Sequence, residues 1–269
     1  MRTFITGLLF LSSSFSFAMP DANSILTQAR DRDDGASYST QVTLKLYSSD
    51  GDLRERHLYM LQKDLPNQEE RALMHFHSPS DVRGVSFLIA NYDENTAQPD
   101  DQWMYLPAFR KTRRLGSNDK RGSFMGSTFN YSDLDKIRVN DYQSTLLGEE
   151  EVLGRPTWVI ERVAASQDVI NKTGYHKTKV WIDKERDVVM QQHYYNAKGI
   201  VFKAQQSTEV EQVQGVWTIM TSEMVNLENG KRSEMIFSDV EYNVALDDKL
   251  VSKRSLKRGI SPAKVPSLR

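Results

Sequence analysis

Apolar and polar residues alternate with a period of two along most of this chain. Val42, Leu44 and Leu46 alternate with polar or aromatic neighbours, residues 48–52 form a turn rich in Ser, Asp and Gly, and residues 53–63 alternate again. Alternation sends successive side chains to opposite faces of a strand, so two such segments around a short turn predict a β-hairpin. The same unit recurs down to residue 243, with turns roughly every 8 to 12 residues, as expected of an all-β sheet or barrel. The pattern predicts a mainly β fold built as an antiparallel meander.

Two segments depart from this alternation. Residues 21–30 begin with two capping candidates, Asp21 and Asn23, and place apolar side chains on one face, so they predict a short amphipathic helix. Near the C terminus, leucines at 246, 250 and 256 have partly helical spacing, and Gly259 ends any helix there. No linker rich in Pro, Gly or Ser divides the chain, so residues 19–269 are predicted to form a single domain.

The first 18 residues have the pattern of a secretory signal peptide. One cation, Arg2, precedes an apolar run, and the run ends in Ser16, Phe17 and Ala18, with small residues at the first and third positions. Gly7 and several serines make the run short and weak for a membrane span. We therefore predict cleavage after Ala18 and export to the periplasm, and because no cysteine follows the run we expect no lipid anchor.

Charge and cysteine usage exclude several classes of protein. The chain has 35 Lys and Arg against 36 Asp and Glu, a net charge of -1, so its overall charge gives no reason to expect nucleic acid as a partner. It has no cysteine, so neither disulfides nor thiolate metal sites stabilise it, and an exported chain of this kind needs a real hydrophobic core. Residues 249–269 are locally basic, with seven cations and no acid. This basic tail is either solvated or in contact with anionic lipid or a membrane surface.

Catalytic motifs are scarce. The chain contains no nucleophile elbow, zinc-protease helix, P-loop or dinucleotide fingerprint. His75 and His77 lie two residues apart, which on a strand places both rings on one face as a possible metal pair, but no third ligand has matching spacing. Neighbouring carboxylates at 149–151 point to opposite faces of a strand and are predicted to be a solvated edge. We expect no catalysis, no metal and no cofactor.

Residues 103–134, WMYLPAFRKTRRLGSNDKRGSFMGSTFNYSDL, mix cations with large apolar side chains. Exposed aromatic and methionine side chains forgo the burial that makes them stabilising, so this segment either folds onto a core or meets a ligand. The candidate ligand contacts are its aromatic and methionine side chains: Trp103, Tyr105, Phe124, Met125, Phe129 and Tyr131.

The same segment carries motifs that resemble a known family. Residues 103–107 read W-x-Y-L-P, an arginine pair follows at 113–114, and residues 122–134 read G-S-F-M-G-S-x-F-x-Y-x-D-L. These motifs resemble the LolA-like family of uncharacterised outer membrane lipoprotein-sorting proteins. This family lies within the LolA/LolB superfamily of bacterial periplasmic lipoprotein carriers, and its members are often associated with RND-type lipid or efflux exporters. The resemblance implies an incomplete antiparallel β-barrel, a half-barrel whose apolar concave face holds acyl chains beneath a lid of a few short helices.

The resemblance also implies a function. It indicates a monomeric, non-enzymatic periplasmic carrier or chaperone for a lipid, for lipoprotein acyl chains or for another amphiphile, working with an RND-type exporter or an outer-membrane acceptor. Burial of each acyl CH₂ is worth about 0.8 kcal/mol, so a chain of about 16 carbons gives a gross driving force near 12 kcal/mol, and a soluble carrier must offer comparable apolar surface. Arg110, Arg113 and Arg114 are then candidates for contact with anionic headgroups at the mouth of the cavity.

Three alternatives stay open at this point. The aromatic residues of 122–131 form either a movable cover, with Gly122 and Gly126 as hinges, or a permanent plug of the half-barrel. The chain could instead be an adaptor or sensor that binds a protein partner, such as an exporter or a membrane-bound regulator, without transporting lipid. A hydrolase acting on an envelope lipid is the third alternative.

Overall fold

The structure, a computed structural model, describes residues 20–96, 98–265 and 268. The predicted signal peptide, residues 1–18, lies outside the described residues. The helices are short and are listed with their bounds as Ala22–Arg30 (α1), Ser117–Lys120 (α2), Gln167–Thr173 (α3) and Lys253–Arg258 (α4). Within the described ranges, no helix has the length and apolar character needed to cross a bilayer.

Thirteen strands make up the rest of the regular structure in the described residues. They are Ser37–Tyr47 (β1), Leu53–Leu65 (β2), Glu69–Ser78 (β3), Ser86–Asn91 (β4), Asp101–Leu106 (β5), Lys111–Arg114 (β6), Tyr142–Val152 (β7), Arg155–Ala164 (β8), Lys177–Asp183 (β9), Val189–Tyr195 (β10), Val201–Val213 (β11), Val216–Asn226 (β12) and Arg232–Tyr242 (β13).

All thirteen strands belong to one antiparallel sheet that does not close into a barrel. Their order is β6-β5-β4-β3-β2-β1-β13-β12-β11-β10-β9-β8-β7, so two meanders are joined where β1 pairs with β13. This confirms the predicted mainly β, incomplete barrel. Strands β6 and β7 are consecutive in the chain but occupy opposite edges, so the connection between them, residues 115–141, has to cross the whole sheet. We call it the crossing segment.

The hairpins form where the alternation and the turn residues predict them. In the first hairpin, β1 and β2 pair continuously from Ser37 with Lys63 to Tyr47 with Leu53. Gly199 has a φ of +72°, which suits glycine, and its N–H donates to the Asn196 carbonyl at 3.0 Å to close the predicted turn between β10 and β11. Because each residue of a strand faces opposite to the next, the register of such hairpins decides which side chains form the core.

The sheet buries apolar residues on both faces. We call the face covered by the crossing segment the inner face, and its core includes Val42, Leu44, Leu58 and Phe87. Helix α1 also packs on this face, beside β8 and β9, through Ile25, Leu26 and Ala29. The predicted amphipathic helix over residues 21–30 is therefore confirmed, with Asp21 as its N-cap.

The outer face of strands β2 to β5 is covered by residues 246–265 and by Leu268. Leu256 of α4 is fully buried there against a cluster that includes Leu61, Leu73, Leu88 and Trp103. The lysines and arginines of α4 are exposed while its leucine is buried. The basic tail is therefore a packed amphipathic segment and not a solvated extension.

Gly259 marks the closest approach of this C-terminal segment to the sheet. Its φ is +67°, and a Cβ atom there would lie 2.5 Å from Cε1 of the His75 ring on β3. The ring itself is held by a 2.8 Å hydrogen bond between His75 Nδ1 and Ser86 Oγ. A side chain at position 259 therefore requires either the ring or the segment to move.

We expect Gly259→Ala to destabilise the protein more than Gly199→Ala does. Both glycines have positive φ values, +67° and +72°, and Gly259 combines its φ with a ψ of −174°, a region nearly confined to glycine, so both variants incur a backbone cost of about 1 to 3 kcal/mol. Only Gly259→Ala adds a steric clash, because nothing lies within 4 Å of a Cβ at Gly199, and overpacking of this kind costs about 1 to 3 kcal/mol more. Urea denaturation of the two variants measures the difference, and equal losses would contradict the packing of the C-terminal segment on β3.

Candidate ligand-binding cavity

The crossing segment folds into a compact loop before it covers the inner face. Phe124 N–H donates to the Phe129 carbonyl at 2.7 Å, and Tyr131 N–H donates to the Gly122 carbonyl at 3.0 Å. These bonds close residues 122–131 on themselves, so the loop satisfies its own backbone groups while its aromatic side chains point to the sheet. Met125, at the tip, has a φ of 50°, an uncommon conformation for a residue with a side chain.

One half of the crossing segment is sealed against the sheet by aromatic packing. The Phe124 side chain has no solvent exposure, and its ring centroid lies 5.2 Å from that of Phe87 and 6.0 Å from that of Phe76. The Tyr131 ring packs edge-on against Phe124 at 5.6 Å. In this half the segment is continuous with the core, as the predicted permanent plug would be.

Two buried ion pairs fix the crossing segment, one joining it to the sheet and one within the segment itself. Lys203 of β11 places Nζ 2.7 Å from Asp133 Oδ2, and Lys120 of α2 places Nζ 3.0 Å from Asp135 Oδ2. The Lys203 ammonium also donates to the Tyr175 hydroxyl at 2.6 Å. Burial lowers the pKa of Lys203, and the Asp133 carboxylate opposes that shift. Removing one partner from a buried pair strands the other charge and costs about 3 to 5 kcal/mol, so these contacts hold the segment firmly.

Beside the sealed half lies a cavity of about 470 Å³ between the crossing segment and the sheet. Phe129 and Leu134 line it from the crossing segment. Its apolar lining from the sheet comprises Tyr38, Met60, Met74, Met224, Met235, Phe237 and Ile219. The volume is within the range of about 300 to 1,000 Å³ typical of small-molecule sites, and methionine side chains adapt readily to the shape of a guest.

The other end of the cavity is polar and leads toward the surface. There Lys136 Nζ lies 2.7 Å from Glu70 Oε2, and Arg138 Nη1 lies 2.9 Å from Asp100 Oδ1. Burial raises the pKa of the nearby Asp34 carboxyl. A second cavity adjoins this end and reaches exposed residues, and the residues lining both are Arg32, Asp34, Glu70, Asn91, Lys136, Ile137 and Arg138. The site therefore has an apolar interior and a charged mouth.

The residues predicted to bind a ligand fall in different places. Phe129 lines the cavity, whereas Phe124, Met125 and Tyr131 belong to the adjoining core. Trp103 and Tyr105 lie on the outer face, in the cluster beneath the C-terminal segment. The ammonium of Lys253 lies 3.8 Å from the centroid of the Trp103 ring there. The structure thus brings together the four residues of the crossing segment and separates the two residues of β5 from them.

The three arginines predicted to meet headgroups also lie away from the cavity. Arg113 and Arg114 are exposed on the edge strand β6, where they pair with Asp119 and Asp101 respectively. Arg110 is exposed just before that strand. None of the three lines the cavity in the described residues.

Sequence reasoning missed the residues that form most of the lining. The methionines come from β2, β3, β12 and β13, and each continues the alternation of inner-face residues in its own strand. Arg162 on β8 was also missed, although it shares a strand face with Ile160 and Trp158. Arg162 is a cation at a position where the alternation of β8 predicts an apolar side chain. This departure is visible in the sequence and points to a functional residue.

The histidine pair lies on the outer face, away from the cavity. The His77 ring stacks on Tyr59 with centroids 4.3 Å apart, and His75 packs beneath Gly259. Among the described residues, no group of three or more His, Asp or Glu side chains is arranged to hold a metal ion.

The match to a family model covers most of the region just described. A model described as that of an uncharacterized protein matches residues 68–258, which is more than half of the chain. This chain belongs to the LolA-like family. The matched region includes the whole crossing segment, whose motifs carried the predicted resemblance. No curated protein matches the chain.

Solved structures share the fold of this LolA-like protein. A domain from Vibrio parahaemolyticus, named for outer membrane lipoprotein sorting, is 28% identical with a TM-score of 0.80, and the match covers 88% of this chain and 98% of that one. A DUF1329 family protein from Desulfovibrio piger is 24% identical with a TM-score of 0.81, over 87% and 97% of the two chains. A LolA superfamily protein from Nitrosomonas europaea, 19% identical with a TM-score of 0.65 over 88% and 99%, shows the same fold.

We expect Phe124→Ala to destabilise this LolA-like protein by about 3 to 5 kcal/mol, because it removes a fully buried ring from a packed cluster. The matched control is Phe109→Ala, whose side chain is 69% exposed and whose loss should change the free energy of unfolding by less than about 0.5 kcal/mol. Urea denaturation measures both. If both variants lowered the free energy of unfolding by a similarly small amount, the aromatic half of the crossing segment would not be packed as described.

Proposed function

We propose that this LolA-like protein is a periplasmic, non-enzymatic carrier that binds the acyl chain of a lipid, a lipoprotein or another amphiphile in the cavity beneath the crossing segment. One observation carries the proposal: the cavity of about 470 Å³ has a methionine-rich apolar interior and a charged mouth. An amphiphile has the same two-part character, so each end of such a ligand meets a matching environment.

The physical chemistry of the lining supports an acyl ligand. Each CH₂ removed from water contributes about 0.8 kcal/mol, so even partial burial of an acyl chain provides strong binding. Met60, Met74, Met224 and Met235 are flexible and polarizable, which suits chains of varied length and unsaturation. A fatty chain needs few directional contacts, and the interior offers mainly hydrophobic surface.

Relatives support the same class of ligand. The Vibrio domain, which is named for outer membrane lipoprotein sorting, is 28% identical to this chain over 88% of its length. The predicted signal peptide would deliver the mature chain, as a monomer, to the compartment where such sorting occurs. An RND-type exporter or an outer-membrane acceptor is the partner that this proposal implies.

The anchors indicate how a ligand reaches the cavity. Lifting the crossing segment would break the buried pair of Lys203 with Asp133 and the 2.7 Å hydrogen bond that Gln102 Nε2 on β5 donates to Asp135 Oδ1. The charged mouth near Lys136 and Arg138 already adjoins a second cavity with exposed lining. We therefore favour access through the mouth, with the aromatic half of the segment fixed in place.

A cavity-blocking variant tests the proposal. Met235→Trp places a larger side chain in the apolar interior, so we expect it to weaken binding of a fluorescent fatty-acid probe by about tenfold or more, because CH₂ contacts are lost. The control is Leu227→Trp, at an exposed position outside the cavity, which should leave binding unchanged. Titration of the delipidated protein with the probe measures both.

Two results would contradict the carrier. Equal binding by the Met235→Trp variant, the Leu227→Trp variant and the parent protein would place the probe elsewhere. Native mass spectrometry of protein purified from its own host should show a co-purifying amphiphile, and a bound protein with no lipid would favour an adaptor instead.

A further inference from the structure

One cation that lines the cavity is buried without a carboxylate partner. The Arg162 side chain on β8 is only 6% exposed, and it lies among Tyr142, Tyr194 and Arg138. Its Nη2 donates to the Arg138 carbonyl at 3.0 Å, and its Cζ lies 4.1 Å from the centroid of the Tyr142 ring. Its Nε has no hydrogen-bond partner, and within the described residues no carboxylate lies within 4 Å of it.

The lysines and the other arginine near Arg162 that line the cavity are each paired with an acid. Lys136 pairs with Glu70, Arg138 pairs with Asp100, and Lys172 lies 3.7 Å from Asp141. Arg32 at the mouth is half-buried and donates to the Trp217 carbonyl at 2.9 Å. A buried charge with no counter-charge is strongly disfavoured, which is why such groups are normally paired. Arg162 departs from that rule at the wall of a cavity.

Hydroxyl groups without hydrogen-bond partners lie on both strands beside Arg162. Ser144 on β7 and Thr178 on β9 are both paired in register with Arg162, so all three side chains share the inner face. Ser144 Oγ and Thr178 Oγ1 are buried with no hydrogen-bond partner, so neither supplies a counter-charge or an acceptor to Arg162. Ser132 Oγ of the crossing segment also has no partner, and Ser132 lines the cavity together with Arg162. A guanidinium and a hydroxyl on the wall of one cavity are donors suited to a carboxylate or a phosphate.

We infer that Arg162 is the anion subsite of the cavity, and that the ligand is an acyl amphiphile whose headgroup carries a carboxylate or a phosphate. This inference rests on the proposed carrier function and narrows it. Arg162 lies on β8, four interstrand spacings from Met224 on β12, about 19 Å along the sheet. The headgroup therefore binds Arg162 while the acyl chain extends across the sheet to the methionines.

Two ligands with chains of the same length, one with a charged headgroup and one with a neutral headgroup, test the subsite. At pH 8, where a carboxylic acid is ionised, we expect the protein to bind hexadecanoate at least about tenfold more tightly than hexadecanol, because a charge-assisted hydrogen bond is added. Arg162→Gln should abolish this preference, so that the ratio of the two affinities falls to about one. Arg162→Lys, which keeps the charge, should restore part of it. Displacement of a neutral fluorescent acyl probe measures all three proteins.

Further arms of the experiment separate the possible outcomes. Equal affinity of the parent protein for acid and alcohol overturns the subsite even if the Arg162→Gln variant does not fold. Binding of neither ligand overturns the proposed carrier itself. Hexadecyl phosphate against hexadecanoate identifies the headgroup class, and competition by inorganic phosphate as strong as that by hexadecyl phosphate would show a free-anion site and overturn the headgroup assignment.

A separate observation concerns the outside of the molecule, where two basic segments far apart in sequence meet. Every residue of the edge strand β6, Lys111–Arg114, is exposed. Helix α4 packs on the neighbouring strands β4 and β5, and Lys253 stacks on Trp103, which is paired in register with Arg114. Within residues 110–114 and α4, the cations without an ion pair are Arg110, Lys111, Lys253, Arg254, Lys257 and Arg258.

We propose that this basic edge of the sheet, with Lys111 on the side of the inner face and α4 on the outer face, docks on an anionic lipid bilayer. The protein as a whole has a net charge of -1, so the cations are concentrated locally and are not a general property of its surface. Phe109, which is 69% exposed, adjoins Arg110 in the same turn. Cations attract anionic headgroups and an aromatic ring favours the membrane interface, so the combination fits a lipid surface better than a protein partner.

Vesicle co-sedimentation tests the proposed docking on a bilayer. We expect the protein to bind vesicles of phosphatidylglycerol and phosphatidylcholine and not vesicles of phosphatidylcholine alone, with binding lost at high salt. The double variants Arg110→Glu with Lys111→Glu, and Lys257→Glu with Arg258→Glu, should each reduce binding about tenfold or more. The matched control, Lys198→Glu with Lys231→Glu, reverses two exposed lysines elsewhere and should have a much smaller effect. Equal losses in all three variants, or no binding by the parent protein, would overturn the proposal.

Discussion

The position of strands β6 and β7 is the constraint on which the rest of this structure depends. They follow one another in the chain but lie at opposite edges of a 13-stranded open sheet, so residues 115–141 have to span its inner face. An apolar sheet face needs a covering layer, and here the chain covers the inner face with its own connection. A long connection cannot follow the curvature of the sheet everywhere, and the cavity lies where the two surfaces separate.

The crossing segment meets this constraint in two chemically different ways. Around Phe124 it packs ring against ring, with no solvent exposure, and behaves as core. Around Asp133 it is fixed to the sheet by the buried Lys203, which specifies position because a displaced partner would leave a charge unpaired in a region of low polarity. The pair of Lys120 with Asp135 holds the segment's own fold in the same way. Between these two kinds of contact, methionines line the sheet, and their adaptable shape tolerates both an empty and a filled cavity.

Much of the fold could be predicted from the sequence because alternation is a local property. The strand spans, the turn at Gly199, the helix capped by Asp21 and the unclosed barrel all followed from local patterns or from the family resemblance. The face on which each strand presents its residues did not, because that depends on pairing across the sheet. Trp103 and Tyr105 were therefore grouped with Phe124 although they pack on the outer face, beneath a C-terminal segment that was expected either to be solvated or to contact lipid.

Pairing across the sheet, which local patterns do not give, also explains why the arginines of β6 were assigned to the mouth of the cavity and Arg162 was overlooked. Arg162 donates to the carbonyl of Arg138, and Arg138 lies at the mouth, so the proposed anion subsite is close to the way in. A ligand held there by its head would enter tail first, since the methionines lie farther along the sheet. Its charged group would then never cross the apolar interior, where desolvation without a partner is most costly. This order of binding needs no movement of the crossing segment. A lipid could therefore exchange while that segment stays fixed.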